Sequence, residues 1–341
     1  KLVEYEYDRL VLATGSKVRG LGLSGEHGRN VFHVKSLDDG YGIKKMIESE
    51  HPRKAVILGG GYVGMEMAEA LVSCGIETTV LHRWELPMSR LEPETRTVIL
   101  KELEAHGVQF VPKVRVKEFK TDSTGKVTDV VTSEGTYSTD MIVLSIGVEP
   151  NVELAEQAGI RIGKSRGILT DQRQSTGNDG IYAAGDCCEV KNIVNNRWMY
   201  IPLATIAARQ ARVAGENAAG GSAEFKGAIR ALALKIFDIH VAHVGLSSVE
   251  AKESGFQTAV EHIEGNSRIS YYPGNSRLHI TAIADRTAGR LLGANVVGGD
   301  GVALRANTLG VALQHRLTID DIARLDLIYA PPFAPLWDPI L

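Results

Sequence analysis

Gly59, Gly61 and Gly64 lie in the stretch AVILGGGYVGMEMAEALVSCGIETTVLHRWE, residues 55–85, and are spaced G-x-G-x-x-G. That spacing serves dinucleotide binding. The first glycine closes a tight turn, the second lets a pyrophosphate reach the backbone, and the third lets helix and strand pack closely. Tyr62 and Val63 fill the variable positions, where a helix N-terminus supplies N–H groups and a partial positive charge. An acid about 20 residues further on usually holds the ribose 2′-OH of NAD, but His82 and Arg83 stand there. A carboxylate repels a 2′-phosphate, whereas a guanidinium pairs with it, and His82 can add a donor. The spacing predicts NADPH, and Glu85 close by keeps NADH open as the donor.

Three more segments share one pattern, an apolar strand running into a turn of small residues. They are YDRLVLATGS (7–16), DMIVLSIGVEPN (140–151) and GIYAAGDCCEV (180–190). In the third, Asp186 beside Gly185 is a short acid at a strand end, suited to hold a hydroxyl-rich chain. The three cysteines, Cys74, Cys187 and Cys188, cannot build a disulfide framework and fit a reducing compartment, which points to the cytoplasm. A vicinal Cys187–Cys188 disulfide demands strained geometry, so both are expected to pack as core, and Cys74 is expected to face the sheet from its helix. No residue set is read as a metal site.

The elements that must hold these residues follow from periodicity and punctuation. Buried strands are predicted at Leu10–Leu12, 54–60, TTVLHR and Met141–Ile146. VQFVPKVRVKEFKTD reads as one strand and KVTDVVTSEGTYSTD as hairpin strands. Helices are predicted over SLDDGYGIKKMIES, with Ser36 or an Asp near its cap, from Gly64 to Cys74, over EPETRTVILKELEAH, and over the Ala-rich run that ends at Gly220-Gly221. Beyond about Phe225, strands (HVAHVGLS, RLHITAIAD, RLLGANVVG) and helices (GVALRANTLGVALQHR, TIDDIARL) form a separate α+β unit. The fold class is therefore α/β, a βαβ unit with an added antiparallel portion and a closing parallel strand, followed by the α+β C-terminal unit. A net charge of -3 offers no reason to expect nucleic acid or an anionic membrane. No apolar run approaches the roughly 20 residues of a membrane helix.

Taken together and in this order, the segments resemble the FAD-dependent pyridine nucleotide–disulfide oxidoreductases, over essentially the whole chain. The resemblance implies FAD near Thr14 and Gly15, a G-x-x-P junction at Gly147 and Pro150, and a second flavin motif at Gly185-Asp186. It also implies that the helix turn from Leu203 through Ala204 and Thr205 to Ala208 faces the flavin pyrimidine edge. Tyr62 is similar to the family's aromatic gate over the flavin, and Glu66 to the acid near the nicotinamide.

The C-terminal YYPGNSRLHI and YAPPFAPLWDP, with LHRWE, resemble the coenzyme A disulfide reductase and NAD(P)H oxidase branch. The implied activity passes electrons from NADPH through FAD to coenzyme A disulfide or a related persulfide, with oxygen reduction as the alternative. An inert nucleotide-binding fragment is the third reading. The branch is homodimeric, which places Tyr329 near the flavin and Tyr271 near a small-molecule disulfide substrate. The family's first G-x-G-x-x-G and its redox cysteine are expected upstream of Lys1. Trp337 stands where some relatives carry a basic residue, which favours the oxidase alternative. The resemblance implies two Rossmann-like nucleotide-binding domains plus an α+β dimerisation domain: an incomplete FAD part made of a remnant, 1–36, and a second segment, 148–222, then 37–147 for NAD(P)H and 223–341 for dimerisation.

Overall fold

A computed structural model describes residues 3–341; Lys1 and Leu2, where the first alternating run begins, lie outside them. The described residues form two compact units. One joins the residues up to 17 with 148–230, and the other joins 18–147 with 231–341.

In the first unit, the apolar runs LVL and IYA pair as parallel strands, Leu10–Leu12 with Ile181–Ala183, in the register Leu10↔Ile181. The Ala-rich run is a helix, Ala204–Ala218, packed on both strands. Its buried stripe, Ile206, Gln210, Val213, Ala214 and Asn217, follows the helical repeat. It ends at Gly220, whose φ of 92° few other residues tolerate. Cys187 and Cys188 are buried in a cluster with Val152, Ile160, Ile168 and Ala183, so they pack as core.

In the second unit, five parallel strands lie in the order Val31–Phe32, Met141–Leu144, Lys54–Leu58, Glu77–Leu81, Gln109–Val111. Three helices accompany them: Leu37–Glu50, Tyr62–Ser73 and Pro93–Ala105. A reciprocal capping box between Ser36 and Asp39 starts the first of these. The central strands are fully apolar over AVIL and MIVL because both faces are covered.

The predicted single strand at VQFVPKVRVKEFKTD is two strands. Gln109–Val111 belongs to the parallel sheet, and Val116–Thr121 opens an antiparallel sheet with Val127–Thr132 and Thr136–Ser138. Pro112 has no N–H for a ladder, and Lys113 sits at φ 61°, so the chain turns there. Cys74 is also corrected: it is exposed. The buried stripe of this helix, Gly64, Met65, Ala68 and Leu71, leaves Ser73 and the C-cap Cys74 on its open side, before the chain turns through Gly75 at φ 75°.

The C-terminal sheet is antiparallel, in the order Ala231–Ile236, Ile239–Gly245, Leu291–Gly298, Arg277–Asp285, Thr258–Asn266. Its first and last strands have no counterpart in the sequence-based reading. The helix Val302–Gln314 packs on its central strands. Leu234, Ile236, Val241 and Val297 share a core with Met65, Leu71, Ile99 and Leu103, so sheet and nucleotide-type fold form one hydrophobic body. The α/β class with an α+β C-terminal part is as expected. Among the described residues no helix is long and apolar enough to cross a membrane.

Candidate functional site

The glycine turn shows a division of labour. Gly59 has φ 110°, and a Cβ there would lie 2.6 Å from the Ser145 carbonyl oxygen. At Gly64 a Cβ would lie 2.0 Å from the Gly59 carbonyl oxygen, so the helix crosses the strand end at backbone contact. At Gly61 a Cβ would meet nothing within 4 Å, so the protein leaves that side open. Gly61 is also the N-cap of the helix Tyr62–Ser73, and no side chain caps it. An open, uncapped helix N-terminus fits the pyrophosphate of a dinucleotide.

Two side chains outside the motif hold the turn. The Ser145 hydroxyl lies 2.7 Å from the Gly59 carbonyl and 3.1 Å from that of Leu58. The Gly60 N–H donates to His82 Nδ1 at 3.0 Å. Since Nδ1 accepts, the proton of the neutral ring is on Nε2, which is buried without a protein partner. His82 is 8% exposed. Burial, reinforced by the Arg96 and Arg83 guanidiniums, pushes its pKa down to about 4.

The sign of the resulting pH dependence is fixed. The unfolded ring takes a proton near pH 6.5, so its contribution is complete above that pH and is lost as pH falls toward 4. The loss should reach up to about 3 kcal/mol. Melting curves from pH 7 to pH 4.5 should show it, with a shallower acid slope in His82→Gln; equal slopes would remove His82 as the source.

Arg83, one residue on, is exposed and lies over the Trp84 ring, 5.0 Å from its centroid. Glu85 is engaged by Lys113. Tyr62 and Val63 are half-buried at the helix start, and Glu66 is exposed one turn later. Partial burial, with Glu69 beside it, pushes the Glu66 pKa up. Glu69 is held by Lys235 and by the Phe237 N–H at 2.8 Å. Gly147 ends its segment at φ 103°, with its carbonyl accepting from the Arg19 N–H at 3.0 Å.

The other unit gathers a second set. The two parallel strands end side by side in the turns Thr14-Gly15 and Gly185-Asp186, where Gly15 has φ 68° and Gly185 φ 90°. The Ser16 hydroxyl donates to Asp186 Oδ2 at 3.0 Å. Thr14 Oγ1 donates to the Asn151 carbonyl at 2.6 Å, and Asn151 Nδ2 returns a bond to the Thr14 carbonyl at 2.8 Å. Gln210, 1% exposed on the Ala-rich helix, accepts from the Gly185 N–H at 3.0 Å.

That helix begins after Leu203 with no side-chain cap, and Ala204, Thr205 and Ala208 stand exposed on its first turns. A polar strand-end acid beside an uncapped helix lined by small residues fits a flavin. The hydrogen bond between the two thiols lowers Cys187 to about 6, helped by Thr14 and opposed by burial. The same bond, with burial, raises Cys188. Their sulfurs lie 3.8 Å apart. Tyr271 and Tyr329 lie in the other unit, 75% and 46% exposed.

Ser145, Ser16, Asn151 and Gln210 escaped the sequence-based reading. Ser145 had a local signal, as the hydroxyl in LSIG at a strand end; Gln210 is one helix residue among many in the sequence.

The model of the family Pyridine nucleotide-disulphide oxidoreductase matches residues 1–211, and that of its dimerisation domain matches 232–339. The chain is 34% identical to an NAD(P)H coenzyme A polysulfide/persulfide reductase of Pyrococcus horikoshii, over 99% of this chain and 75% of the relative. It is 31% identical to an NADH oxidase of Methanocaldococcus jannaschii, again over 99% of this chain and 75% of the relative. The solved structure of an NAD-dependent persulfide reductase from A. fulgidus superposes with a TM-score of 0.95 at 35% identity. That match covers 98% of this chain and spans 62% of the solved one.

Proposed function

We propose, for a chain that belongs to the pyridine nucleotide-disulphide oxidoreductase family, that it passes electrons from NADPH through FAD to a small-molecule disulfide or persulfide linked to coenzyme A. The observation that carries this reading is the pair of uncapped helix N-termini, one behind Gly61 and one behind Leu203, each beside a glycine turn. Bound nicotinamide and flavin supply the hydride and electron chemistry. The chain's part is to bind, orient and exclude water.

Gly59, Gly61, Val63 and Gly64 would hold the NADPH pyrophosphate. Arg83 would meet the 2′-phosphate, and the His82 Nε2–H is a further donor at the same strand end. Tyr62 and Glu66 would lie by the nicotinamide, and Gly147 at the junction toward the flavin. Thr14, Gly15, Gly185 and Asp186 would hold the flavin chain, and the turn Leu203, Ala204, Thr205, Ala208 its pyrimidine edge. In the same reading, residues 1–36 and 148–222 serve FAD, 37–147 serve NADPH, and 223–341 pair two copies into a homodimer. Tyr271 and Tyr329 of each copy then face substrate and flavin. Sparse cysteine supports a cytoplasmic setting.

The donor is tested by Arg83→Ala. Losing a charge-assisted contact should cost about 10- to 100-fold in NADPH affinity and leave NADH within about twofold. An unchanged ratio in a fluorescence titration removes the 2′-phosphate role. The acceptor is tested by comparing thiol release from coenzyme A disulfide with oxygen uptake under NADPH. Oxygen reduction is the second reading, favoured by Trp337, which places no charge where a coenzyme A phosphate would need one.

A further inference from the structure

We propose that Arg305 and Asp338 form a buried clamp that sets the two tyrosine-bearing segments, 267–276 and 329–341, in one fixed arrangement. Arg305 is therefore a positioning residue for the acceptor. The functional half rests on the reading above, that Tyr271 and Tyr329 face the acceptor.

Arg305 is 1% exposed, on a helix whose other buried residues are apolar or small. Its guanidinium is nearly saturated. Nε donates to Asp338 Oδ1 at 3.0 Å, and Nη2 lies 2.7 Å from Asp338 Oδ2. Nη2 also donates to the Ser267 carbonyl at 3.2 Å, and Nη1 to the Gly301 carbonyl at 3.2 Å. Each acceptor belongs to a different piece of chain. Ser267 opens the segment that carries Tyr271, Asp338 lies near the end of the segment that carries Tyr329, and Gly301 starts the helix itself.

Both segments are organised around those anchor points. Ser267 and Ser276 close the first one, through Ser267 N–H to the Ser276 carbonyl at 2.8 Å and Ser276 N–H to Ser267 Oγ at 3.0 Å. Asp338 accepts from the Ile340 N–H at 3.2 Å, and its carbonyl accepts from the Leu341 N–H at 2.9 Å. Pro339 packs where a Cβ on Gly265 would stand. Between the anchors several large side chains face outward, Tyr271, Phe333, Leu336 and Trp337 being 66% to 76% exposed, while Ala334 is buried. Packing of these four side chains does little to hold the segments; Arg268 tethers the first through Asp300 and the Pro273 carbonyl, and the buried fork joins the first to the second.

A buried ion pair is a poor source of stability, because desolvation offsets most of the attraction. What the planar, five-donor guanidinium adds is geometry, three chain segments fixed by one group. Fixing the tyrosines before a ligand arrives removes the ordering cost from binding.

The test uses the flavin-loaded protein and two variants, Arg305→Lys and the double Arg305→Met/Asp338→Leu. The double variant replaces the pair by apolar groups, since Arg305→Met alone would strand a buried carboxylate. Three readouts are taken: kcat/KM for coenzyme A disulfide, flavin reduction by NADPH in a stopped-flow instrument, and hydrogen exchange across the two segments. In both variants kcat/KM should fall at least about tenfold, with flavin reduction unchanged within about twofold. Exchange should rise in both segments together, less so for Lys than for the double variant. The clamp is overturned if exchange rises in only one segment or in neither. It is equally overturned if acceptor kcat/KM is unchanged, or if flavin reduction falls in parallel with it. Tyr271→Phe and Tyr329→Phe without effect on acceptor turnover would sink the underlying reading instead, and the exchange data would still decide the clamp.

Discussion

Gly64→Ala is expected to slow flavin reduction by NADPH at least about 100-fold and to lower the melting temperature. The added methyl group would stand 2.0 Å from the Gly59 carbonyl oxygen and 2.8 Å from the Ser145 hydroxyl. Neither can yield cheaply: the carbonyl is backbone, and the hydroxyl bonds that same carbonyl at 2.7 Å. The helix must move off the strand, and overpacking of this kind costs several kcal/mol. That movement carries the helix N-terminus away from the pyrophosphate, and about 2.7 kcal/mol already accounts for 100-fold.

Gly61→Ala is the control. Its methyl group meets no protein atom within 4 Å, so the melting temperature should stay within a degree or two while NADPH affinity falls at least about tenfold. Equal NADPH affinity in Gly61→Ala and wild type would mean that the open side of the turn is not where the pyrophosphate binds.

Asp186→Ala is expected to purify largely colourless. Asp186 sits half-buried where two strand ends meet, already accepting from Ser16. A carboxylate there accepts hydroxyl hydrogens that alanine cannot, and each bond to a charged group contributes about 1.5–3 kcal/mol. One such bond to a ribityl hydroxyl corresponds to roughly 10- to 100-fold in flavin affinity. The measurement is the ratio of flavin absorbance near 450 nm to protein absorbance after dialysis. Full retention of flavin would exclude Asp186 as its ligand. Gln210→Leu should give a smaller loss, because Gln210 acts only through the Gly185 N–H.

Most of the fold was legible because it is written in local periodicity. The AVIL and MIVL runs, a cap at Ser36 or an Asp, the Ala-rich stripe and the glycines at helix ends each specify an element within a few residues of chain. Where the reading failed, a long-range or single-residue event intervened. Pro112 and Lys113 divide one apparent strand between two sheets. Cys74, the C-cap of its helix, lies off the buried stripe and outside the core it was expected to join. The edge strands Ala231–Ile236 and Thr258–Asn266 went unnoticed because each has a single ladder partner, and their exposed residues blur the alternation that marks a strand.

The sequence by itself determined the kinds of chemistry present. G-x-G-x-x-G after an apolar strand, Arg83 in the place of an acid, and Gly185-Asp186 at a strand end are statements about residue type and spacing, and both survive folding unchanged. Only the tertiary structure decided how those residues are held. His82 accepts from Gly60, 22 residues away; Gln210 reaches Gly185 from a helix 25 residues on; and Arg305 gathers Ser267 and Asp338 from 38 and 33 residues away. A hydrogen bond depends on where two atoms come to rest, and at such separations that is set by packing of the whole unit and not by spacing along the chain.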